Sequence, residues 1–267
     1  MAKCLLMKGW GNCMAKVISI ASRKGGVGKT TTAVNLASAL SGKVLLVEMD
    51  PQGNASISLG TNPDLMKNTI FTMLIGESTF DNTVIRTEYC DFIPANDDLS
   101  DLDMILILNK DKINPVTMLH DTLVSHLSEY DYIIIDCPPS KGLLTINALV
   151  ASTDVIIPLQ CEFLAASGVN KIIEAIYKTK ELYNPTLSIM GIVPTIYDTR
   201  TSLSGLVLQE ARRYFLQQNI KVFDTTIYKC VRFAEAPMSG KPAIDVYPDH
   251  ETVKLYYKLA KEIEEYE

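Results

Sequence analysis

Residues 22–35 read SRKGGVGKTTTAVN and place two lysines, Lys24 and Lys29, among Gly25, Gly26 and Gly28. Glycines let backbone N–H groups turn towards phosphate oxygens, and a helix opening at GKTTT adds the positive end of its dipole. In such a loop Lys29 reaches the β- and γ-phosphates of a nucleotide and the Thr30 hydroxyl ligates Mg2+. Gly25, Gly26, Val27, Gly28, Lys29, Thr30 and Thr31 therefore form the expected phosphate-binding set. The usual loop has a glycine five places before Gly28, where this chain has Arg23. Lys24 is a second cation that phosphate binding alone does not require.

Two carboxylates follow at matching places. Asp136 ends the apolar run YIIID, where a carboxylate can hold magnesium through a water. Asp50 ends VLLVEM and opens DPQGN, where it could orient or deprotonate an attacking water. An Asp before a proline is also an ordinary turn former. Both residues, with Thr30, are candidate metal ligands, and Lys29, Asp50 and Asp136 are the candidate catalytic set.

These residues need strands and helices to converge. MAKVISIA, KVLLVEMD, YDYIIIDCPP, TDVIIPLQ and LSIMGIVPTIYD are short apolar runs of the kind that parallel strands buried on both faces produce. Helical spacing separates most of them, in TTTAVNLASAL (stopped by Gly42), LLTINALVA, SGVNKIIEAIYKTKELY and SGLVLQEARRYFLQQ. Strands alternating with helices predict a doubly wound α/β fold with a mainly parallel sheet. No repeat or linker divides the chain, so residues 14–267 read as one domain, with 1–13 a poorly ordered N-terminal extension.

Composition narrows the function classes. Apolar residues make up 47% and the formal charge is −6, so any nucleic-acid contact must come from a local patch. Residues 77–103 carry eight Asp/Glu against Arg86, which reads as a solvated surface. Six scattered cysteines without a CxxC pair argue for free thiols in a reducing cytoplasm. No run approaches the roughly 18–20 apolar residues of a membrane span, and the mixed-charge end KLYYKLAKEIEEYE is not a basic amphipathic anchor. The expectation is a cytoplasmic protein with no membrane partner.

The KGGVGKT form resembles the deviant Walker A loop of the ParA/MinD group of P-loop ATPases, and the resemblance extends over 14–267. VLLVEMDPQGNASISLG, YDYIIIDCPPSKGLLTINAL, PLQCEFLAASGV, GIVPTIYDTRTSLS and VRFAEAPMSGKPAIDVYP are similar to segments of the chromosomal and small plasmid ParA proteins, often called Soj. The resemblance implies a weak Mg-dependent ATPase that forms a homodimer with ATP and binds double-stranded DNA without sequence preference. A ParB-like centromere-binding partner would stimulate hydrolysis, and the protein would be nucleoid-associated. By the same resemblance Lys24 crosses the dimer interface to the partner's nucleotide, with Gly25 at the close approach. A cation supplied in trans would stabilise charge gathering on the phosphoryl oxygens. Thr195, Lys229 and Val231 fall on the nucleotide, and Arg200, Arg232 and Lys229 on DNA. From Ile196 to His250, seven Lys/Arg face six Asp/Glu, a mild local enrichment in a chain of −6.

Some positions depart from the pattern. Glu48 replaces the first Asp of the usual DxD, Lys141 stands where leucine is usual, and YKCVR replaces PRNVR, so the base-facing side is less defined. A MinD-like division ATPase lacks support without a basic C-terminal helix. A sequence-specific DNA-binding domain has no room ahead of Lys24. A ParA-like ATPase positioning another cargo stays open, because the partner chooses the cargo.

Overall fold

The computed structural model describes residues 15–102, 104–105, 114–140, 142–162 and 165–266. The expectations for residues 1–13, for Met14 as the start of the first strand and for Lys141 lie outside them. Five strands are the apolar runs named above: β1 (Lys16–Ile20), β2 (Val44–Glu48), β5 (Tyr132–Asp136), β6 (Asp154–Gln160) and β7 (Ser188–Thr195). Two more, β3 (Ile85–Arg86) and β4 (Asp91–Ile93), extend one edge. They lie inside the acidic stretch and are too short for a period to show; β4 exists by pairing with β2. The seven strands run in the order β3-β4-β2-β5-β1-β6-β7, parallel except for the β3–β4 pair.

Alternation along each strand divides the core between the two faces of the sheet. Val17, Val47, Ile133 and Ile135 pack with Leu149 of the helix Leu143–Ala151 and with Ile172 and Ile176 of the helix Ala165–Leu182. Ile18, Ile20, Leu46 and Ile134 pack on the other face with Ala33 and Leu36 of α1 (Lys29–Ala39) and with Leu259 and Ile263 of the helix Leu255–Glu264. The C-terminal helix thus turns its apolar stripe onto the fold, which accounts for its charged exposed side. Helices on both faces make this the doubly wound α/β arrangement expected. Gly42 is in the left-handed region (φ 91°), after α1 ends on Leu40.

The topology fixes where a site can form. The central strand β5 lies between β1 and β2, and its last residue, Asp136, is level with Ile20 and Glu48. Beyond these three ends the chain enters the glycine loop from β1 and the Asp50 loop from β2. Crevices outside the carboxyl ends of parallel strands are where ligands bind in such sheets.

Candidate functional site

A cavity of about 640 Å³ opens at these strand ends. Gly25, Gly26, Gly28, Lys29, Thr30 and Thr31 line it from one side. Gly26 and Gly28 hold φ of 72° and 86°, and an added Cβ at Gly25, Gly26 or Gly28 would meet nothing within 4 Å, so the loop's backbone is open to the cavity. Gly28 caps α1 without a side-chain hydrogen bond, and the first turn of α1 has no acidic residue. Its N–H groups remain available to an anion. Lys29 is buried (7% exposed) and lines the cavity. Val27 turns into the core, and its carbonyl accepts the Thr195 hydroxyl at 2.9 Å, fastening the loop to the end of β7. The next residue, Ile196, also lines the cavity and holds φ 51°. A β-branched residue there stores strain, of the kind that collects at functional sites.

The two carboxylates converge on the same region with different surroundings. Asp136 is fully buried, and neither of its oxygens has a hydrogen-bond partner among the described residues. Burial pushes its carboxyl up to about 8, and Glu48 and Asp50 add to the push. Thr30, which pulls it back along with Lys29, does not reach hydrogen-bond geometry. A buried carboxylate without donors is costly unless a cation completes it. Asp50 is nearly buried and lines the cavity, while its Oδ1 accepts the Gln52 N–H at 3.1 Å. It is both the turn former and a cavity carboxylate. An open glycine cradle, Lys29, the Thr30 hydroxyl and the orphaned Asp136 together fit a magnesium-bound nucleotide.

Glu48 proves to be a structural hub of the site. Its oxygens accept from Ala55 N at 2.6 Å, Ser56 N at 3.1 Å, Ser56 Oγ at 2.5 Å and Ala95 N at 3.3 Å. The first three hold α2 (Asn54–Ser58) against the end of β2, and the fourth ties in the chain just after β4. Burial nevertheless pushes the carboxyl up to about 7, against the pull of Ser56, Ala55 and Ala95. The extra methylene relative to Asp lengthens this reach from strand to helix.

The opposite wall comes from far along the chain: Ile227, Tyr228, Lys229, Cys230, Phe233, Pro237 and Tyr256. Their apolar and aromatic surfaces suit a base; Tyr228, Lys229 and Cys230 belong to the YKCVR segment read from the sequence as base-facing, whereas Ile227, Phe233, Pro237 and Tyr256 were not singled out. Gln52 and Asn54 also line the cavity; DPQGN was the legible signal for them. Val231 lies outside the lining and is 63% exposed. The Cys230 Sγ approaches His250 Nε2 at 3.8 Å.

Lys24 departs from Lys29. Its ammonium leaves its own cavity and donates to Gln160 Oε1 at 2.8 Å and Glu162 Oε2 at 3.1 Å. Arg200 binds Asp198 through Nε and Nη2 (2.8 and 2.6 Å), holding the Asp198 carboxyl well below the usual carboxylate range. Arg232 pairs with Glu235 at 2.7 Å and lies 5.0 Å from the Tyr247 ring centre. Arg200 is exposed and Arg232 half-buried, and each has a carboxylate neighbour, so their charge is partly balanced within the chain. No helix among the described residues is long and apolar enough to cross a membrane.

Known proteins share this arrangement. A family model described as an AAA domain matches residues 15–189. The chain is 41% identical to the chromosome partitioning protein ParA of Myxococcus xanthus, covering 96% of this chain and 90% of that one. It is also 41% identical to the sporulation initiation inhibitor protein Soj of Bacillus subtilis, over 94% and 98% of the two chains. Among solved structures, cobyrinic acid a,c-diamide synthase from Mycobacterium smegmatis, bound to an ATP analogue and magnesium, superposes with a TM-score of 0.81. It is 33% identical and the match covers 93% of this chain and 94% of that one. With the glycine loop, the Asp50 turn and the buried Asp136 at the ends of one parallel sheet, and relatives matched along nearly their whole length, the chain belongs to the ParA/Soj family of partition ATPases.

Proposed function

We propose that this protein binds ATP with Mg2+ in the cavity at the ends of β1, β2 and β5, dimerises around it, and hydrolyses it slowly to move DNA cargo. The observation that carries the nucleotide reading is Asp136, buried with both oxygens unpartnered behind a glycine loop open to the cavity. Lys29 and the loop N–H groups bind the phosphates, while Thr30, Asp50 and Asp136 hold the metal or its waters. Magnesium, when bound, neutralises charge on the phosphoryl oxygens. Asp50 orients the attacking water, and Thr195 keeps the loop in place through Val27.

Lys24 rests on Gln160 and Glu162 and so does not serve its own cavity. This supports a role at a second copy's nucleotide, with Gly25 at the interface. Dimerisation then exchanges those two contacts for a partner's phosphate. Arg200, Arg232 and Lys229 contact double-stranded DNA, doubled by the dimer into a salt-sensitive, sequence-blind surface. A ParB-like protein stimulates hydrolysis and releases the dimer from the nucleoid. A ParA-like ATPase that positions another cargo uses the same site and differs only in its activator.

Light scattering with ATP and Mg2+ tests the central step. The parent chain should double in mass with ATP and not with ADP, and Lys24→Ala should stay monomeric while binding ATP. A Lys24→Ala protein that dimerises like the parent refutes the trans lysine.

A further inference from the structure

The nucleotide cavity has two walls that are far apart in sequence. One is the β2–α2 segment with Asp50, Gln52 and Asn54; the other contains Cys230 and Phe233. The walls meet backbone to backbone at Gly60, just after α2, and at Gly240, which caps the turn Ala236–Ser239. Both glycines are in the left-handed region, with φ of 75° and 63°. A Cβ on Gly240 would lie 2.7 Å from the Gly60 Cα, and one on Gly60 would lie 3.2 Å from the Gly240 Cα and carbonyl oxygen. Conformation favours glycine at both positions, and close approach excludes a Cβ at Gly240 and crowds one at Gly60.

α2 connects the Asp50 loop to Gly60: Glu48 ties its first turn to the end of β2, and the Gly60 N–H returns to the Ile57 carbonyl at 3.1 Å. Within the second wall, the segment from Arg232 to Gly240 carries Arg232 at its start and Met238, 88% exposed, near its end. A displacement of α2 has a direct steric route into that segment.

We propose that Gly60 and Gly240 are positioning residues that couple the Asp50 side of the nucleotide cavity to the Arg232–Gly240 segment. This rests on the Mg-ATP reading above. A triphosphate reaches the Asp50–Asn54 loop and shifts α2, and the glycine contact carries the shift to the far wall; a diphosphate fills the cavity without doing so.

Amide hydrogen exchange of residues 236–241 tests this, with Mg-ADP compared with a non-hydrolysable ATP analogue and Mg2+. In the parent chain the analogue should change exchange at Gly240 at least threefold relative to ADP. In Gly60→Ala that difference should vanish while the analogue's Kd moves less than threefold. The parent comparison needs no substitution, so a poorly folding glycine variant does not blunt it. Lys24→Ala, confirmed monomeric by its mass, separates the effect from dimerisation: persistence of the difference supports the coupling, and its loss overturns it. A parent that binds both nucleotides with identical exchange overturns the coupling alone. A parent that binds neither overturns the site reading and the coupling with it.

Discussion

Replacing Gly53 by alanine adds one methyl group to the loop that carries Asp50 and opens α2, and the structure specifies what that methyl meets. Gly53 holds φ 63°, where a Cβ costs roughly 1–2 kcal/mol. The new Cβ would also lie 2.5 and 2.9 Å from the Pro63 ring and 3.3 Å from the Ala95 carbonyl oxygen. Pro63 is buried, so relief requires a backbone shift, an overpacking cost of about 1–3 kcal/mol. Alanine also restricts the unfolded chain, which returns about 0.4–1 kcal/mol. The net loss is about 2–4 kcal/mol, which for a chain of this size lowers Tm by roughly 6–12 °C. Gly76 is the control: its φ is 80°, but an added Cβ meets nothing within 4 Å. Gly76→Ala therefore carries only the conformational cost, about 1 kcal/mol, and a Tm loss of roughly 3 °C. Circular-dichroism melts of the two variants in parallel isolate the contact with Pro63 and Ala95. Equal Tm losses would refute the argument that close packing, rather than backbone conformation, fixes the Asp50 loop.

Asp50→Ala should retain ATP binding but turn over about 10²-fold or more slowly in a phosphate-release assay, as loss of a water-orienting carboxylate requires; unchanged turnover would remove Asp50 from catalysis. Arg232→Glu should leave ATP dimers intact, weaken DNA retention on a filter, and flatten the dependence of log Kd on log salt; an unaltered salt slope would take Arg232 off the DNA surface. Burial pushes the Cys90 thiol up to about 12 and the Cys161 thiol up to about 11, so at pH 8 both are almost wholly protonated and unreactive. Mass mapping after brief maleimide treatment at pH 8 should find Cys230 labelled ahead of Cys90 and Cys161, and ATP should slow its labelling. Labelling of Cys90 or Cys161 at pH 8 as fast as that of Cys230 would contradict the burial argument.

Much of the fold and half of the site were legible because the responsible physics is local. KGGVGKT needs its glycines wherever it occurs, and the buried runs that end in Asp50 and Asp136 mark parallel strands by composition alone. Neighbouring strand ends then bring both carboxylates to the loop. The two-strand edge β3–β4 was not legible, since a three-residue strand has no period and is defined by its neighbour β2.

The sequence by itself determined the chemistry on offer: a phosphate loop, two carboxylates, and a second lysine too many for one nucleotide. Only the tertiary structure decided how these are held. Glu48 stands in for an Asp of the same charge and is the buried acceptor of four hydrogen bonds, three of which fix α2. Phe233 and Tyr256 carry no signal of their own in the sequence and line the cavity opposite a loop some 200 positions earlier in the chain. Lys24 and Lys29 are neighbours in sequence, yet one is buried in its own cavity and the other rests on Gln160 and Glu162. Burial and direction depend on which distant segments the sheet order brings together, and no local pattern of residue types encodes that.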